Sequence, residues 1–364
     1  MEAQKYIALV VVTDKSACAY VRWRNWAHIM NSQAGGDFEI LVTCSPIFDD
    51  YILYHSACVI VTRPCADVHE TVVKQYAMNK KKYNYKLMLD YDDILFDLQG
   101  RDTFPDYNPF KQRHNAFEGG ERIGRMVRYV DAILVSTLYL AACFASRFGS
   151  DVVGKTVLLP NYVPATMYTD THGGYQEGEP LRIMYTGASS HYKEGSKGDL
   201  EGPWLEAIEK FVKKGHAQFF TFGNNPGFFP AATEWLPFVS AAEWPYELSR
   251  LHPDICIGPL QCNPFNRSKS DLKLLEASAI GAAFVGSYFN DGPYNDEHAA
   301  MRVTKSTTVN ELYDILDSLR EPGNMDAVLR YQRGRLADGH RTMEDKEARD
   351  YFMTILFHKY LTIN

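Results

Sequence analysis

The feature that most constrains the fold is a repeated alternation of short apolar runs with helical stretches. In the first half, apolar runs over 7–12, 38–43, 57–62, 86–90, 132–136 and 156–159 read as strands. Stretches over 22–30, 67–79, 119–129 and 138–148 read as the helices between them. Regular strand–helix alternation predicts a parallel sheet with helices on both faces. Ligands of such sheets lie at the carboxyl ends of the strands.

The second half repeats the pattern, and one stretch of it concentrates the chemistry. Residues 254–258 form a short apolar run that stops at Gly258-Pro259, a strand-end signal. Loop follows over 263–267, then a predicted helix over 268–280, then a second strand over 282–287. Ser268 with Asp271 three residues later fits a capping box, and Gly281 suits the far end. On this helix Leu272, Leu275 and Ala279 read as the core stripe. Lys269, Lys273 and Glu276 stand at i, i+4 and i+7 and share another face. A helix N-terminus favours an anion through its free N–H groups and dipole. Two lysines there fit a diphosphate, and a carboxylate two turns in can accept from sugar hydroxyls. The same pattern also fits an ordinary solvated helix face.

These residues carry a family resemblance. Asn263-Pro-Phe-Asn-Arg-Ser-Lys-Ser-Asp-Leu-Lys-Leu-Leu-Glu276, followed by Ala279-Ile-Gly281, resembles the donor-site signature of GT-B glycosyltransferases, most closely the GT4-like branch often encoded by bacteriophages. That resemblance implies two Rossmann-like domains with parallel sheets facing a central cleft. In the family two glutamates eight positions apart flank the donor sugar and ribose. Glu276 matches the second, whereas Ser268 occupies the first position, so Asn266 or Lys269 is expected to take that part. Val130-Asp-Ala-Ile-Leu-Val-Ser-Thr-Leu-Tyr-Leu140 and Leu158-Leu-Pro-Asn-Tyr-Val163 resemble two further landmarks of the family. The strand over 181–187 runs into a loop with Gly187, Ser189 and His191, similar to the family's Gly-x-x-x-His motif. Gly187 lets a ligand approach the backbone. His191, Lys193 and Lys197 are expected to bring positive charge to a pyrophosphate. Six residues, 193–198, stand before Asp199 where the family's Asp usually follows sooner.

Two loops of the first half add candidates. The segment 13–24 follows the first strand and has Ala17, Cys18 and Ala19 where related enzymes often have glycines. Its Arg22 and Arg24 are expected either at the cleft, against the acceptor, or as solvated helix charges. Leu89-Asp-Tyr-Asp-Asp-Ile-Leu-Phe-Asp-Leu98 places three carboxylates directly after a strand. Close carboxylates repel one another and need a partner or a task, though Asp also serves simply in turns and caps. A similar Asp-rich motif stands here in the phage-like proteins. The resemblance therefore makes Asp92 and Asp93 the acceptor-side candidates, to orient a hydroxyl or take its proton. No metal is expected. Basic and aromatic residues interleave over 79–86 and 101–114, including Arg113, which suits contact with phosphates and bases as well as it suits a solvated surface.

At 364 residues the chain is long enough for two domains, and its 46% apolar and 23% charged residues are those of a globular protein. No 18-residue apolar run predicts a membrane span, and the first residues lack the features of a signal peptide. Seven scattered cysteines without a C-x-x-C pair suggest neither zinc nor disulfides, and fit reduced thiols in a cytoplasm. A net charge of −7 does not advertise nucleic-acid binding.

The expected organisation is an acceptor domain over 1–165, a linker over 166–180, a nucleotide-sugar-binding domain over 181–340 and a C-terminal helix over 341–364 that returns to the first domain. The resemblance implies a retaining glycosyltransferase using a nucleotide-diphosphate sugar as co-substrate and no cofactor. Its acceptor would be a hydroxymethylpyrimidine base in phage DNA. An envelope polysaccharide, a lipid-linked sugar or a protein hydroxyl is the alternative. Ser268 at the first glutamate position keeps open a non-catalytic nucleotide-sugar-binding protein.

Overall fold

A computed structural model describes residues 6–13, 17–33, 37–98, 103–106, 108, 111, 116–170, 175, 178–187, 191, 198–223, 233–295 and 302–361. Of the expected site residues, Ser189, Lys193 and Arg113 lie outside the described residues, as does Lys197.

The described strands make two six-stranded sheets, parallel at every pairing. The first contains β1 (Tyr6–Val12), β2 (Phe38–Thr43), β3 (Ser56–Thr62), β4 (Lys86–Tyr91), β5 (Ala132–Val135) and β6 (Thr156–Leu158), in the order β2-β1-β3-β4-β5-β6. The second contains β7 (Leu181–Gly187), β8 (Ala217–Gly223), β9 (Glu234–Leu236), β10 (Ile255–Gly258), β11 (Ala283–Ser287) and β12 (Arg302–Val303), in the order β12-β11-β10-β7-β8-β9. Continuous apolar strands are what a sheet covered on both faces requires. In β1, Ile7, Leu9 and Val11 enter one core with Val59, Leu87 and Ile133. Ala8, Val10 and Val12 enter the other with Cys58, Ile60, Met88 and Leu134. Trp23, Trp26 and Phe352 complete that second layer, and Phe352 of the helix Lys346–Leu361 stacks on Trp26 at 4.1 Å. The chain's last helix thus packs on the first sheet.

The predicted helix over 268–280 is instead two helices, Pro264–Ser268 and Leu272–Ile280, with an extended break at Lys269 (ψ 152°). Asn263 caps the first, its side chain accepting from the Asn266 amide, and Pro264 follows at a position where a missing N–H costs nothing. Ser and Asp compete locally for backbone partners, so Ser268-Lys-Ser-Asp is a poor place to propagate a helix. The Ser268 hydroxyl bonds the Phe265 carbonyl (2.7 Å), and Ser270 accepts from Asn161 (2.7 Å). Asp271 turns to Arg341, whose two guanidinium nitrogens reach it at 2.7 and 3.0 Å. The expected Ser268–Asp271 capping box is therefore not formed, and Lys269 does not share a helix face with Lys273. The core face also differs from the expected stripe: Leu274, Leu275, Ala277 and Ile280 are buried, while Leu272 lines the cleft.

The segment 264–270 docks on the first half. Phe265 is wholly buried in the first sheet's core, 5.5 Å from the Phe104 ring, and its amide donates to Thr103 O. Ser268 and Asn161 tie the two halves further. Thr137 caps the helix Leu138–Phe148 and also donates to Ser268 O at 3.1 Å. Among the described residues no helix is long and apolar enough to cross a membrane.

Candidate active site

A cleft of about 210 Å³ opens between the two halves at the carboxyl ends of both sheets. One wall is Ala17, Tyr20, Val21 and Asn25 of the first half; the other comes from Tyr168 and the second sheet with its helices. Among the described residues Lys273, Glu276 and His191 bring it acid–base groups besides two tyrosines, and Phe222, Phe238 and Trp244 supply apolar surface.

Glu276 sits on the helix Leu272–Ile280 with its side chain nearly buried at the cleft wall. The Trp244 indole donates to its Oε1 at 2.9 Å and the Tyr168 hydroxyl at 3.2 Å. Burial pushes its carboxyl up to about 7, and the two donors and Lys273 only partly offset this. Lys273 precedes it by three positions and donates to Thr186 O at 2.7 Å, at the end of β7. Burial, then Lys269, lowers its ammonium to about 8. Asp271 offers no side-chain cap to the helix start, because Arg341 holds it. A helix N-terminus without a side-chain cap, with the cation of Lys273 in its first turn, is a place for an anion.

Gly187 and Gly223 end β7 and β8 side by side in register. A Cβ on Gly223 would meet Gly187 O at 2.4 Å, and Gly223 has φ +116°. A Cβ on Gly187 would meet the Tyr185 hydroxyl at 2.6 Å and its ring at 2.8 Å. Gly223 requires glycine, and the two positions together bring bare backbone to the cleft floor.

His191 is buried, its Nδ1 2.8 Å from Asp199 Oδ2. Desolvation, then the charges of Lys273 and Lys269, push the imidazole down to about 3. It is therefore neutral at physiological pH, a hydrogen-bonding group and not the cation expected from the sequence. Asp199 also accepts from the Gln261 amide (2.9 Å) and from Asn266 Nδ2 (2.7 Å). The extra residues before Asp199 thus leave the His–Asp pairing intact. Asn266 is fully buried on Asp199 and Gln261 O, behind the cleft wall. Lys269 lies with its ammonium over the Phe265 ring at 4.5 Å and does not line the cleft.

The acceptor-side candidates cluster at the ends of β3 and β4. Arg63 pairs with Asp92 and reaches Asp93 at 3.3 Å and Cys18 Sγ at 3.3 Å. Desolvation acts to raise the Asp92 carboxyl, but Arg63, a Cys18 hydrogen bond and Arg22 hold it below the usual range. One ligand-type atom each from Cys18, Asp92 and Asp93 lies within 4.8 Å of the others, and the guanidinium of Arg63 contacts all three. Ser136 secures this loop by donating to Asp92 O at 2.8 Å.

Arg22 is placed otherwise than an acceptor ligand needs. It is 4% exposed and pairs with Asp90, which also accepts from the Trp23 indole (2.8 Å). Its other nitrogen donates to Leu159 O and Asn161 Oδ1. Arg24 stacks over Tyr20 at 5.1 Å and reaches Cys44 Sγ. Tyr168, Trp244 and Arg63 escaped sequence reasoning. Nothing local marks them, since each acts across 29 to 108 residues of chain.

No family model and no curated protein matches the chain. Solved structures do. HepE from Anabaena, in complex with UDP and glucose, superposes with a TM-score of 0.57 at 10% identity, over 96% of this chain and 100% of that one. A glycosyltransferase from Rickettsia africae gives 0.58 at 12% identity, over 99% and 100%. WaaG, a glycosyltransferase involved in lipopolysaccharide biosynthesis, gives 0.56 at 10%, over 97% and 99%. These likenesses lend no support to a phage origin. With two parallel six-stranded sheets facing one cleft and these neighbours over nearly the whole chain, the fold is that of the GT-B glycosyltransferases.

Proposed function

We propose that the protein transfers a sugar from a nucleotide-diphosphate sugar to an acceptor hydroxyl. The observation that carries this reading is the joint placement of Lys273, Glu276 and His191 on one wall of the cleft, over the paired glycines. In it the diphosphate lies at the start of the helix Leu272–Ile280, where Lys273 and first-turn amides meet it. Glu276, oriented by Tyr168 and Trp244, accepts from ribose hydroxyls, and Phe222 and Trp244 border the base. The leaving diphosphate gains charge in the transition state, so a fixed cation and helix dipole stabilise it more than the ground state. His191 gives a neutral hydrogen bond to the same region. Asp92 and Asp93, beside the cleft at the end of β4, are the acceptor-side carboxylates, Asp93 the more exposed of the two. UDP is the favoured nucleotide because HepE is seen with UDP and UDP-glucose.

A glycan or lipid-linked hydroxyl is the acceptor we favour over a DNA base. The lysine run of the first half is engaged with carboxylates, Lys80 on Asp131 (2.8 Å) and Lys82 on Asp50 (3.4 Å), which weakens it as a phosphate surface. Retention of anomeric configuration rests on the resemblance of 263–276. Incubation with UDP-, GDP- and dTDP-sugars, against glycan acceptors and hydroxymethylated DNA, tests the reading. Nucleotide release with sugar on a glycan supports it, and NMR of the product anomer checks retention. Transfer to DNA alone reverses the acceptor assignment; binding without turnover points to a nucleotide-sugar-binding protein.

A further inference from the structure

Arg63 is the residue whose placement the site reading leaves unused. It follows β3 directly, is 8% exposed, and has φ +47°, a left-handed backbone that a side chain such as arginine rarely adopts. Pro64 follows, which restricts it further. Its amide donates to Asp90 O at 2.7 Å, and the Tyr91 hydroxyl bonds Pro64 O at 2.8 Å, so both flanks of the turn are tied to β4. Strained residues persist where surrounding contacts over-determine them, and such sites cluster where a side chain must be aimed. Here the aim is toward one nitrogen that serves Asp92, Asp93 and Cys18 Sγ together.

The two carboxylates are held unequally. Asp92 takes the close contact, has a side chain 9% exposed, and its carbonyl is fixed by Ser136. Asp93 has the longer contact at 3.3 Å and a side chain 18% exposed. The next amide, Ile94 N, donates to Ser268 Oγ, which brings this loop against the segment leading into the Lys273 helix.

We infer that Arg63 is a positioning residue for the proposed transfer: it locks Asp92 as an anchor and presents Asp93 to the attacking hydroxyl. This rests on the reading of the cleft as a nucleotide-sugar site. Asp93 is the carboxylate that touches the hydroxyl; Asp92 and Cys18 hold the arginine that holds it.

Donor hydrolysis is the test, with water standing in for the acceptor and UDP-, GDP- and dTDP-glucose as donors. In Arg63→Ala the hydrolytic kcat should fall at least about tenfold, the factor of one charged hydrogen bond, with donor KM within about twofold. Added guanidinium should restore kcat, which a merely structural loss would not permit. Arg63→Lys keeps the buried positive charge and so the fold; it should show the same split with a smaller fall. A folded Arg63→Lys with wild-type kcat, or a donor KM that rises in step with the fall in kcat, overturns the assignment while leaving the cleft reading in place. A wild-type protein that neither binds nor hydrolyses any of the three donors overturns both.

Discussion

The Ile94 amide donates to the Ser268 hydroxyl across 174 residues of chain, at 3.3 Å. One bond therefore joins the acceptor-side loop to the segment that leads into the Lys273 helix. Ser268 is fully buried, bonds Phe265 O, and has its own carbonyl taken by Thr137. Ser268 is thus a rivet between the two halves.

Replacing that rivet separates packing from chemistry. Ser268→Ala should cost about 1 kcal/mol through a lost hydrogen bond. Ser268→Glu forces a larger, charged group into a sealed site and should cost several times more, about 3 kcal/mol or above. Thermal unfolding reads both. A Ser268→Glu protein as stable as the parent would contradict the packed interface.

Glu276 makes stability depend on pH in a defined sense. Its folded pKa, about 7, is above the usual carboxyl value of 4.5, so the folded chain holds this proton more tightly than the unfolded one. That contribution is full below about pH 4.5 and is lost as pH rises through about 7. Glu276→Gln removes the burial of a charge, so relative to the parent it should gain up to about 3 kcal/mol between pH 5 and 8. Denaturant titrations at the two pH values measure this; a constant difference between the proteins would exclude the assignment.

Lys273→Met should weaken binding of UDP by about 10- to 100-fold, the usual range for a charge-assisted hydrogen bond of this kind. Calorimetry with UDP checks it, and the loss should shrink in high salt as screening grows. Undiminished affinity would remove Lys273 from the phosphate site.

Proton uptake offers a complementary measure. The His191 imidazole is held down to about 3 by burial and the charges of Lys273 and Lys269. A diphosphate bound at Lys273 offsets that positive charge, so the pKa of His191 should rise on UDP binding. Imidazole NMR shifts followed against pH, with and without UDP, should show the upward move.

Arg22 and Arg24 should behave oppositely. Arg22→Met strands the buried Asp90 carboxylate and should cost about 3–5 kcal/mol. Arg24→Ala removes a part-exposed contact and should stay within about 0.5 kcal/mol. Equal effects in urea unfolding would contradict the buried network.

Apolar runs such as 7–12 and 57–62 sufficed to place the parallel strands, because strands covered on both faces must be apolar along their length. The spacing of Lys273 and Glu276 likewise set one helix face, and Gly187 marked the end of a strand. These are local properties, and the amino-acid order determines them. Ser268-Lys-Ser-Asp marked a weak place in the helix over 268–280, but the residue order did not show which partners would hold the break open. Those partners are Asn161 and Arg341, 109 and 70 residues away from Ser270 and Asp271. Nor could it separate Arg22, consumed by Asp90, from a cleft-facing arginine, or reveal that Tyr168, Trp244 and Arg63 orient the carboxylates. Which polar groups meet is decided by packing: a buried charge needs a partner, and only the assembled sheets determine which one lies within reach.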